Sequence, residues 1–280
     1  MRIPGRVVIP AEPAVPRDAA SVLLLRGGER GLEVHLQQRH SRMPFAPEVL
    51  AFPGGGVDAR DLEVVERMTG PTPAEWAAAL EVDETTALAV VVAAVRELFE
   101  ETGVLLAGED GGTGSGLVGD TSGTEWEAER LRVAGKQTSL AGILNPRGLA
   151  LRGELLHVWS QWTTPEFEPR RFRTWFLVAE LPEGQNARDV SGETDSVGWW
   201  TPRDAIADAD SGARVMFPPQ YCMCLQLFDV PTPAQARRAP GPLERVQPRL
   251  GTDADGHYVV LPPELIELGL AIGERMRGLS

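Results

Sequence analysis

The sequence predicts an α+β fold in which helices and a β-sheet form packed layers. Predicted strands and helices follow one another without strict alternation, which argues against a doubly wound parallel sheet. The most apolar predicted helix, at residues 83–103, carries apolar side chains on more than one face. Such a helix must be buried, and a sheet is the surface that can bury it. No internal repeat occurs, so a solenoid is not expected.

The first predicted elements form a β-hairpin. The segment "ASVLLLRG" is nearly continuous in apolar residues, and the segment after the glycine-containing turn alternates Leu32, Val34 and Leu36 with polar residues. A short apolar strand is predicted at residues 49–52. The "PGGG" sequence at residues 53–56 is predicted to be a turn, because proline and glycine interrupt regular structure.

Two helices are predicted next. The first, in "PTPAEWAAALEV", has Thr72 as its N-cap and Pro73 at its first helical position. The second is "DETTALAVVVAAVRELFEETG", which begins after a cap at Asp83 or Thr85. Gly103 is expected to end this helix in the left-handed conformation.

The second half of the chain is predicted to mix strands and helices. The segment "EWEAERLRVAGKQTSLAGILNPRG" reads as a helix, a turn and a second short helix. Two long strands are predicted at "LALRGELLHVWSQWTT" and "RRFRTWFLVAELP", with short strands at "SVGWW" and "HYVVL". Helices are predicted at "TPRDAIADADSG" and "PPQYCMCLQLF", and a final helix at residues 263–277.

Charge and cysteine content restrict the class of partner. The chain of 280 residues has a net charge of -13, which argues against nucleic acid or an anionic membrane as the main partner. Cys222 and Cys224 are too close for an ordinary disulfide and supply only half a metal site, so they are interpreted as buried thiols. Prolines in the N-terminal segment interrupt the apolar core that a secretory signal would need. No segment is long and apolar enough to span a bilayer. We therefore expect a cytoplasmic protein.

Three glutamates lie close together at the end of the main predicted helix. Glu97, Glu100 and Glu101 have a spacing that places them on one helix face, where like charges repel. A hard divalent cation prefers oxygen ligands, and Mg²⁺ needs only one or two carboxylates. Arg96 directly precedes the three acids and can orient them. The alternative is a solvated acidic helix end in an unrelated α+β protein.

The stretches "PGGG" and "RELFEETGV" together resemble the signature of the Nudix hydrolases, G-x5-E-x7-R-E-U-x-E-E-x-G-U, in which U is aliphatic. Residues 96–104 match every defined position of its second half. The first half is separated from Arg96 by more residues than the signature allows. Its glutamate position falls on Leu88 when counted back from Arg96 and on Asp61 when counted forward from Gly55. An insertion that contains the first predicted helix accounts for this length.

The resemblance implies a Nudix-type α/β/α sandwich with a mixed β-sheet over residues 19–230, with a helical insertion at about 59–84. Residues 1–18 are then an N-terminal extended segment, and residues 231–280 a C-terminal extension. The split signature and "WTTPEFEPRRFRTWF" also resemble, more loosely, a subgroup that includes the peroxisomal coenzyme A diphosphatases.

The resemblance also implies the chemistry and its metal ligands. Water would attack a diphosphate that is linked to another group, with one or more Mg²⁺ or Mn²⁺ ions bound at the site. Glu97, Glu100 and Glu101 would hold these ions, and the carbonyl of Gly54 is a backbone candidate. The reaction expected is hydrolysis of a nucleoside diphosphate derivative.

Two further roles follow from the same resemblance. Arg96 is assigned to orienting the glutamates. The general base is expected among Glu193, Glu101 and Glu97, in that order, because Glu193 lies in a loop just ahead of the tryptophan-containing strand "SVGWW".

Arg170, Arg171 and Arg173 are candidates to bind a substrate phosphate that the metals do not touch; the alternative is that they cover the exposed face of a strand. The substrate is expected to be a small-molecule diphosphate such as coenzyme A or acyl-coenzyme A. ADP-ribose, another nucleotide derivative, and a non-catalytic nucleotide-sensing role are alternatives. No nucleic-acid or membrane partner is expected, and a homodimer stays open.

Overall fold

The computed structural model describes residue 7 and residues 9–40, 48–109, 116–190, 192, 194–237 and 243–278. The strands within this part of the chain are, in order, β1 (Arg17–Gly28), β2 (Gly31–Arg39), β3 (Leu50–Ala51), β4 (Gly54–Gly56), β5 (Met68–Thr69), β6 (Ala107–Gly108), β7 (Ala150–Arg152), β8 (His157–Thr163), β9 (Phe172–Glu180), β10 (Thr194–Trp200), β11 (Glu244–Val246), β12 (Arg249–Asp253) and β13 (Gly256–Val260). The α-helices are α1 (Pro73–Leu80), α2 (Glu84–Thr102), α3 (Thr124–Ala134), α4 (Leu140–Leu144), α5 (Pro202–Asp210), α6 (Pro218–Leu227), α7 (Pro233–Ala236) and α8 (Pro263–Met276). Short 3-10 helices span Ala59–Leu62, Asn145–Arg147 and Gly153–Leu155.

The central sheet has the strand order β10-β2-β1-β9-β8-β11, with β3 added to β2 and β4 added to β1. The pairs β1/β9 and β8/β11 are parallel, and the other pairs of this sheet are antiparallel. The sheet is therefore mixed, as the family resemblance implied. Two small sheets, β5-β7-β6 and β12-β13, lie outside it.

Helices cover both faces of the central sheet. Alternation along β1 sends Val22 and Leu24 into one core, shared with α2, while Leu23 and Leu25 enter another, shared with α5, α6 and α8. The layer order is helix, sheet, helix. The predicted α+β sandwich is thereby confirmed.

The helix boundaries follow the local signals in the sequence. The Asp83 side chain caps α2 by accepting a hydrogen bond from Thr86 N at 3.0 Å, and Gly103 ends the helix with φ at 76°. Thr72 caps α1, with proline at the first helical position, as predicted. These caps fix where the last turn of α2, with its three glutamates, begins and ends.

Two predictions of secondary structure are wrong. The "PGGG" segment is not a free turn, because Gly54–Gly56 forms strand β4 against β1. The long strand predicted at "LALRGELLHVWSQWTT" is broken into β7, the 3-10 helix Gly153–Leu155, and β8. The break lies at Gly153, where an added Cβ would be 2.8 Å from the carbonyl oxygen of Thr69, so the backbone packs too closely there for an ordinary strand residue.

The C-terminal segment contributes to the same sheet and core. Strand β11 pairs with β8, and α8 packs on α6, with Leu265 and Ile272 buried in the shared core. Among the residues that the structure describes, no helix combines the length and the apolar content needed to cross a bilayer.

Candidate active site

Strand β4 brings three consecutive glycines against the last turn of α2. The Gly54 amide donates to Glu101 Oε2 at 2.9 Å. A Cβ on Gly55 would overlap the carboxylate of Glu97, so the absence of a side chain lets this carboxylate lie directly on the strand. The carbonyl of Gly56 accepts a hydrogen bond from Arg96 Nη2 at 2.9 Å. Each glycine thus contacts a different residue of the helix end.

Arg96 lies at the centre of the cluster and is 2% exposed. Its Nε and Nη2 donate to the two carboxylate oxygens of Asp61 at 2.6 and 2.8 Å. Its Nη1 donates to Glu97 Oε1 at 2.7 Å and to Glu100 Oε1 at 3.1 Å. With the bond to Gly56, all five N–H groups of the guanidinium are used. The arginine has no donor left for a ligand, so its geometry suits orientation of the acids.

Of the two positions at which the first acid of the split signature could fall, Asp61 is the one that contacts Arg96. It lies in the 3-10 helix directly after β4, is 2% exposed, and also accepts a hydrogen bond from Asp58 N at 2.8 Å. The other candidate, Leu88, packs against the apolar core beside α2. The inserted segment therefore begins after Asp61, contains α1, and ends where α2 begins at Glu84.

Burial changes the titration of the two inner glutamates. It raises the pKa of Glu101 to about 8, and the neighbouring Glu97 carboxylate adds to the rise. It also raises the pKa of Glu97 to about 7, against the lowering effect of Arg96. In the absence of a cation, the charged forms of these carboxylates are therefore costly.

The carboxylate oxygens that remain suit a hard divalent cation. Arg96 occupies Oε1 of Glu97 and Glu100, while Gln37 and Gly54 occupy Oε2 of Glu101. No described residue hydrogen-bonds the second oxygen of each glutamate. Within the described part of the chain, no group of three or more acidic, histidine or cysteine side chains is arranged to hold a metal ion. Mg²⁺ does not need one, because it keeps several waters and takes one or two carboxylates.

The three predicted substrate arginines do not touch these glutamates. Arg171 is 8% exposed and donates Nε and Nη1 to backbone carbonyls at 3.0 and 2.8 Å. Arg173 pairs with Asp18 at 2.8 Å and lies 4.7 Å from the centre of the Trp175 ring. Arg170 is exposed. The carbonyl of Asp18, the partner of Arg173, accepts a hydrogen bond from Val57 N at 2.9 Å, directly after β4.

Glu193, the first candidate for the general base, lies outside the described residues. Gln37 was not among the predicted site residues, but its Nε2 donates a short hydrogen bond to Glu101 Oε2. Alternation on β2 was the signal that could have found it. Leu32, Val34 and Leu36 enter the core beside α6, so Gln37 has to face α2 and its acids.

The chain is similar to known proteins along most of its length. A family model described as the NUDT19 Nudix domain matches residues 80–227. The chain is 27% identical over 215 residues to putative nudix hydrolase 7 of Caenorhabditis elegans, across 76% of this chain and 61% of that protein. It is 25% identical over 219 residues to acyl-coenzyme A diphosphatase NUDT19 of Xenopus laevis, across 68% of this chain and 58% of that protein. The matched region thus spans less than two thirds of the length of either relative.

A solved structure supports the fold independently. The NUDIX hydrolase from Alicyclobacillus acidocaldarius superposes with a TM-score of 0.65 at 24% sequence identity. The match covers 81% of this chain and 98% of that one.

Proposed function

The chain belongs to the Nudix hydrolase family, and from this premise we propose that it hydrolyses a diphosphate bond in a nucleotide derivative with Mg²⁺ or Mn²⁺ bound. The observation that carries the proposal is the contact of Glu97 and Glu101 with the glycine strand β4, beside Glu100 and around a fully engaged Arg96. Nudix hydrolases generally use divalent metal ions.

The residues at the end of α2 would have two roles, binding of the cation and orientation of the carboxylates that bind it. Glu97, Glu100 and Glu101 would hold the cation through the oxygens that their neighbours leave open, with the Gly54 carbonyl as a backbone ligand. When bound, the cation neutralises the charge of the diphosphate and lowers the pKa of the attacking water. Arg96 would keep Glu97 and Glu100 at fixed positions through its Nη1 donor.

A general base must take a proton from that water. Glu101 and Glu97 are candidates, because both lie in the last turn of α2 beside the carboxylate oxygens left open for the cation. Glu193 stays a candidate as well. Single Glu→Gln variants at Glu193, Glu101 and Glu97 test each of the three candidates for the general base.

The favoured substrate is coenzyme A or acyl-coenzyme A. The names of the family model and of the amphibian relative support this choice. Arg170 and Arg173 are the proposed contacts for a phosphate away from the metal. Arg171 is the weakest of the three candidates, because backbone carbonyls already engage it.

A substrate panel tests the proposal directly. We expect the full chain to cleave coenzyme A or an acyl-coenzyme A with Mg²⁺ or Mn²⁺, releasing the adenosine 3′,5′-bisphosphate half, and to stop when EDTA is added. ADP-ribose, NADH and dinucleoside polyphosphates complete the panel and identify another nucleotide derivative if one is preferred. Metal-dependent binding with no product from any compound would instead indicate a nucleotide-sensing module. Cleavage that persists in EDTA would exclude the metal assignment.

A further inference from the structure

We propose that Gln37 is a positioning residue that decides which oxygen of Glu101 is presented to the cation. Its Nε2 donates to Glu101 Oε2, and the Gly54 amide donates to the same oxygen at 2.9 Å. Two donors on one oxygen hold the carboxylate plane. The other oxygen, Oε1, then faces the site and is the one left for a metal ion.

Gln37 is rigid enough for this role because it lies in the interior of the sheet. Strand β2 runs between β1 and β10, and Gln37 is paired with Val197 on β10 and with Ala51 on β3. The residue is 1% exposed, so its amide does not exchange partners with bulk water. A donor fixed in this way restricts Glu101 before any ligand arrives.

The unpaired end of the same amide points to function. The ionised form of Glu101 that a cation requires is an acceptor only, so the amide nitrogen of Gln37 faces it and the Gln37 Oε1 faces away. That Oε1 is buried and has no hydrogen-bond donor in the part of the chain that the structure describes. A buried carbonyl without a donor lowers the free energy of unfolding. Stability alone therefore explains this glutamine poorly, whereas orientation of Glu101 explains it.

A second buried glutamine provides a matched control. Gln161 lies on β8 of the same sheet, is 6% exposed, and donates Nε2 to Thr163 Oγ1 at 2.9 Å. It has no contact with the three glutamates. The same substitution at the two positions removes a buried amide donor from two strands of the same sheet, and only one of these donors contacts Glu101.

The test measures Mn²⁺ binding to the full, substrate-free chain, by electron paramagnetic resonance of the unbound ion. Gln37→Met keeps the length of the side chain and removes its donor. We expect its Kd for Mn²⁺ to rise about 10- to 100-fold, the usual effect of losing a group that orients a metal ligand. Gln161→Met is expected to bind as the wild type does. Turnover of Gln37→Met should recover at high Mn²⁺ concentration, measured at a temperature where circular dichroism shows that the variant is already folded without metal, so that stabilisation by the bound ion does not account for the recovery.

The inference rests on the proposed function in one respect, that Glu101 is a metal ligand. If the wild type binds no Mn²⁺, the metal assignment fails and this inference fails with it. If the wild type binds Mn²⁺ and Gln37→Met binds it equally well, only the role of Gln37 is overturned. Gln37→Asn, whose amide is one methylene too short, gives a second measurement if Gln37→Met does not fold. Loss of the folded circular dichroism spectrum in both variants would make Gln37 a structural residue and overturn the inference.

Discussion

The two faces of the central sheet bury different chemistry. Toward α6 and α8, the buried side chains are apolar or neutral, and burial raises the pKa of Cys222 and Cys224 to about 12, so both stay as thiols. Toward the last turn of α2, the sheet buries Arg96, Asp61 and Glu101. Burying charge is costly unless each charge is paired and hydrogen-bonded. Arg96 and Asp61 are paired with each other, whereas burial raises the pKa of Glu97 and Glu101, so the cost of buried charge on the α2 face lies with these two glutamates.

The two faces of the sheet differ in how fully packing and hydrogen bonds account for their buried side chains. On the α6 face, apolar packing accounts for most of the buried side chains. On the α2 face, Arg96 uses all five of its donors, yet each glutamate keeps one oxygen that no described residue engages. This excess of acceptors is what a cation would satisfy.

The largest effect is expected from removing one charge on the α2 face. Glu101→Gln should lower kcat about 10²- to 10⁴-fold, because the variant loses a metal ligand and a candidate base. The measurement is product release from the preferred substrate at saturating Mg²⁺. Glu267→Gln, on the exposed side of α8 in the opposite layer, should leave kcat unchanged. Full activity of Glu101→Gln would show that the site has been placed wrongly.

A smaller effect is expected from adding one methyl group to the glycine strand. Gly55→Ala should lower kcat on the order of 10- to 100-fold, because its Cβ displaces the carboxylate of Glu97 and misplaced catalytic groups cost rate steeply. Gly27→Ala on β1 is the matched control, since nothing lies within 4 Å of a Cβ there. Equal rates for the two variants would mean that the close approach of β4 to Glu97 is not needed.

The smallest effect is a slope of stability with pH. An unfolded glutamate has a pKa of 4.5, and the folded-state pKa of Glu101 is about 8, so the native chain binds more protons than the unfolded chain between these values. Stability without metal should therefore fall as pH rises toward 8. His35, whose pKa burial lowers to about 4, acts in the opposite sense below its unfolded value of 6.5.

The useful window is thus pH 6.5 to 8, where His35 no longer contributes and the raised pKa values of Glu101 and Glu97 act in the same direction. Thermal unfolding in EDTA should show a Tm that falls by more in the wild type than in Glu101→Gln. Adding Mg²⁺ at pH 8 should raise the wild-type Tm, because the ion binds the native carboxylates. A wild-type slope equal to that of Glu101→Gln would contradict the raised pKa of Glu101.

The acids at the end of α2 could be found from the sequence because their signal is local. Glu97, Glu100 and Glu101 share one helix face by spacing alone, and Gly103 marks where the helix ends. The partner of Arg96 could not be decided in this way. Asp61 lies 35 residues away from Arg96 along the chain, and the number of intervening residues does not determine whether the two side chains meet in the fold.

Other parts of the site depend on tertiary contacts that override local preference. Proline and three glycines favour a turn, yet Gly54–Gly56 is a strand because β1 and α2 both need a backbone without side chains at that place. For Gln37, alternation along β2 gives the face but not the neighbour. Which acid lies opposite Gln37 depends on the angle between the axis of α2 and the strands of the sheet. Hydrophobic periodicity in a single sequence does not give that angle.

The ion pair between Arg96 and Asp61 and the N-cap of α2 at Asp83 hold both ends of the segment that contains α1, so this segment can be replaced. Both ends are pinned, by a two-point contact on one side and by the N-terminal cap of α2 on the other. The entropy of closing a loop grows only slowly with its length. A designer could therefore graft a reporter peptide or a small binding module in place of α1, and the three glutamates would keep their positions as long as Trp76 and Leu80 were replaced by side chains that fill the same core.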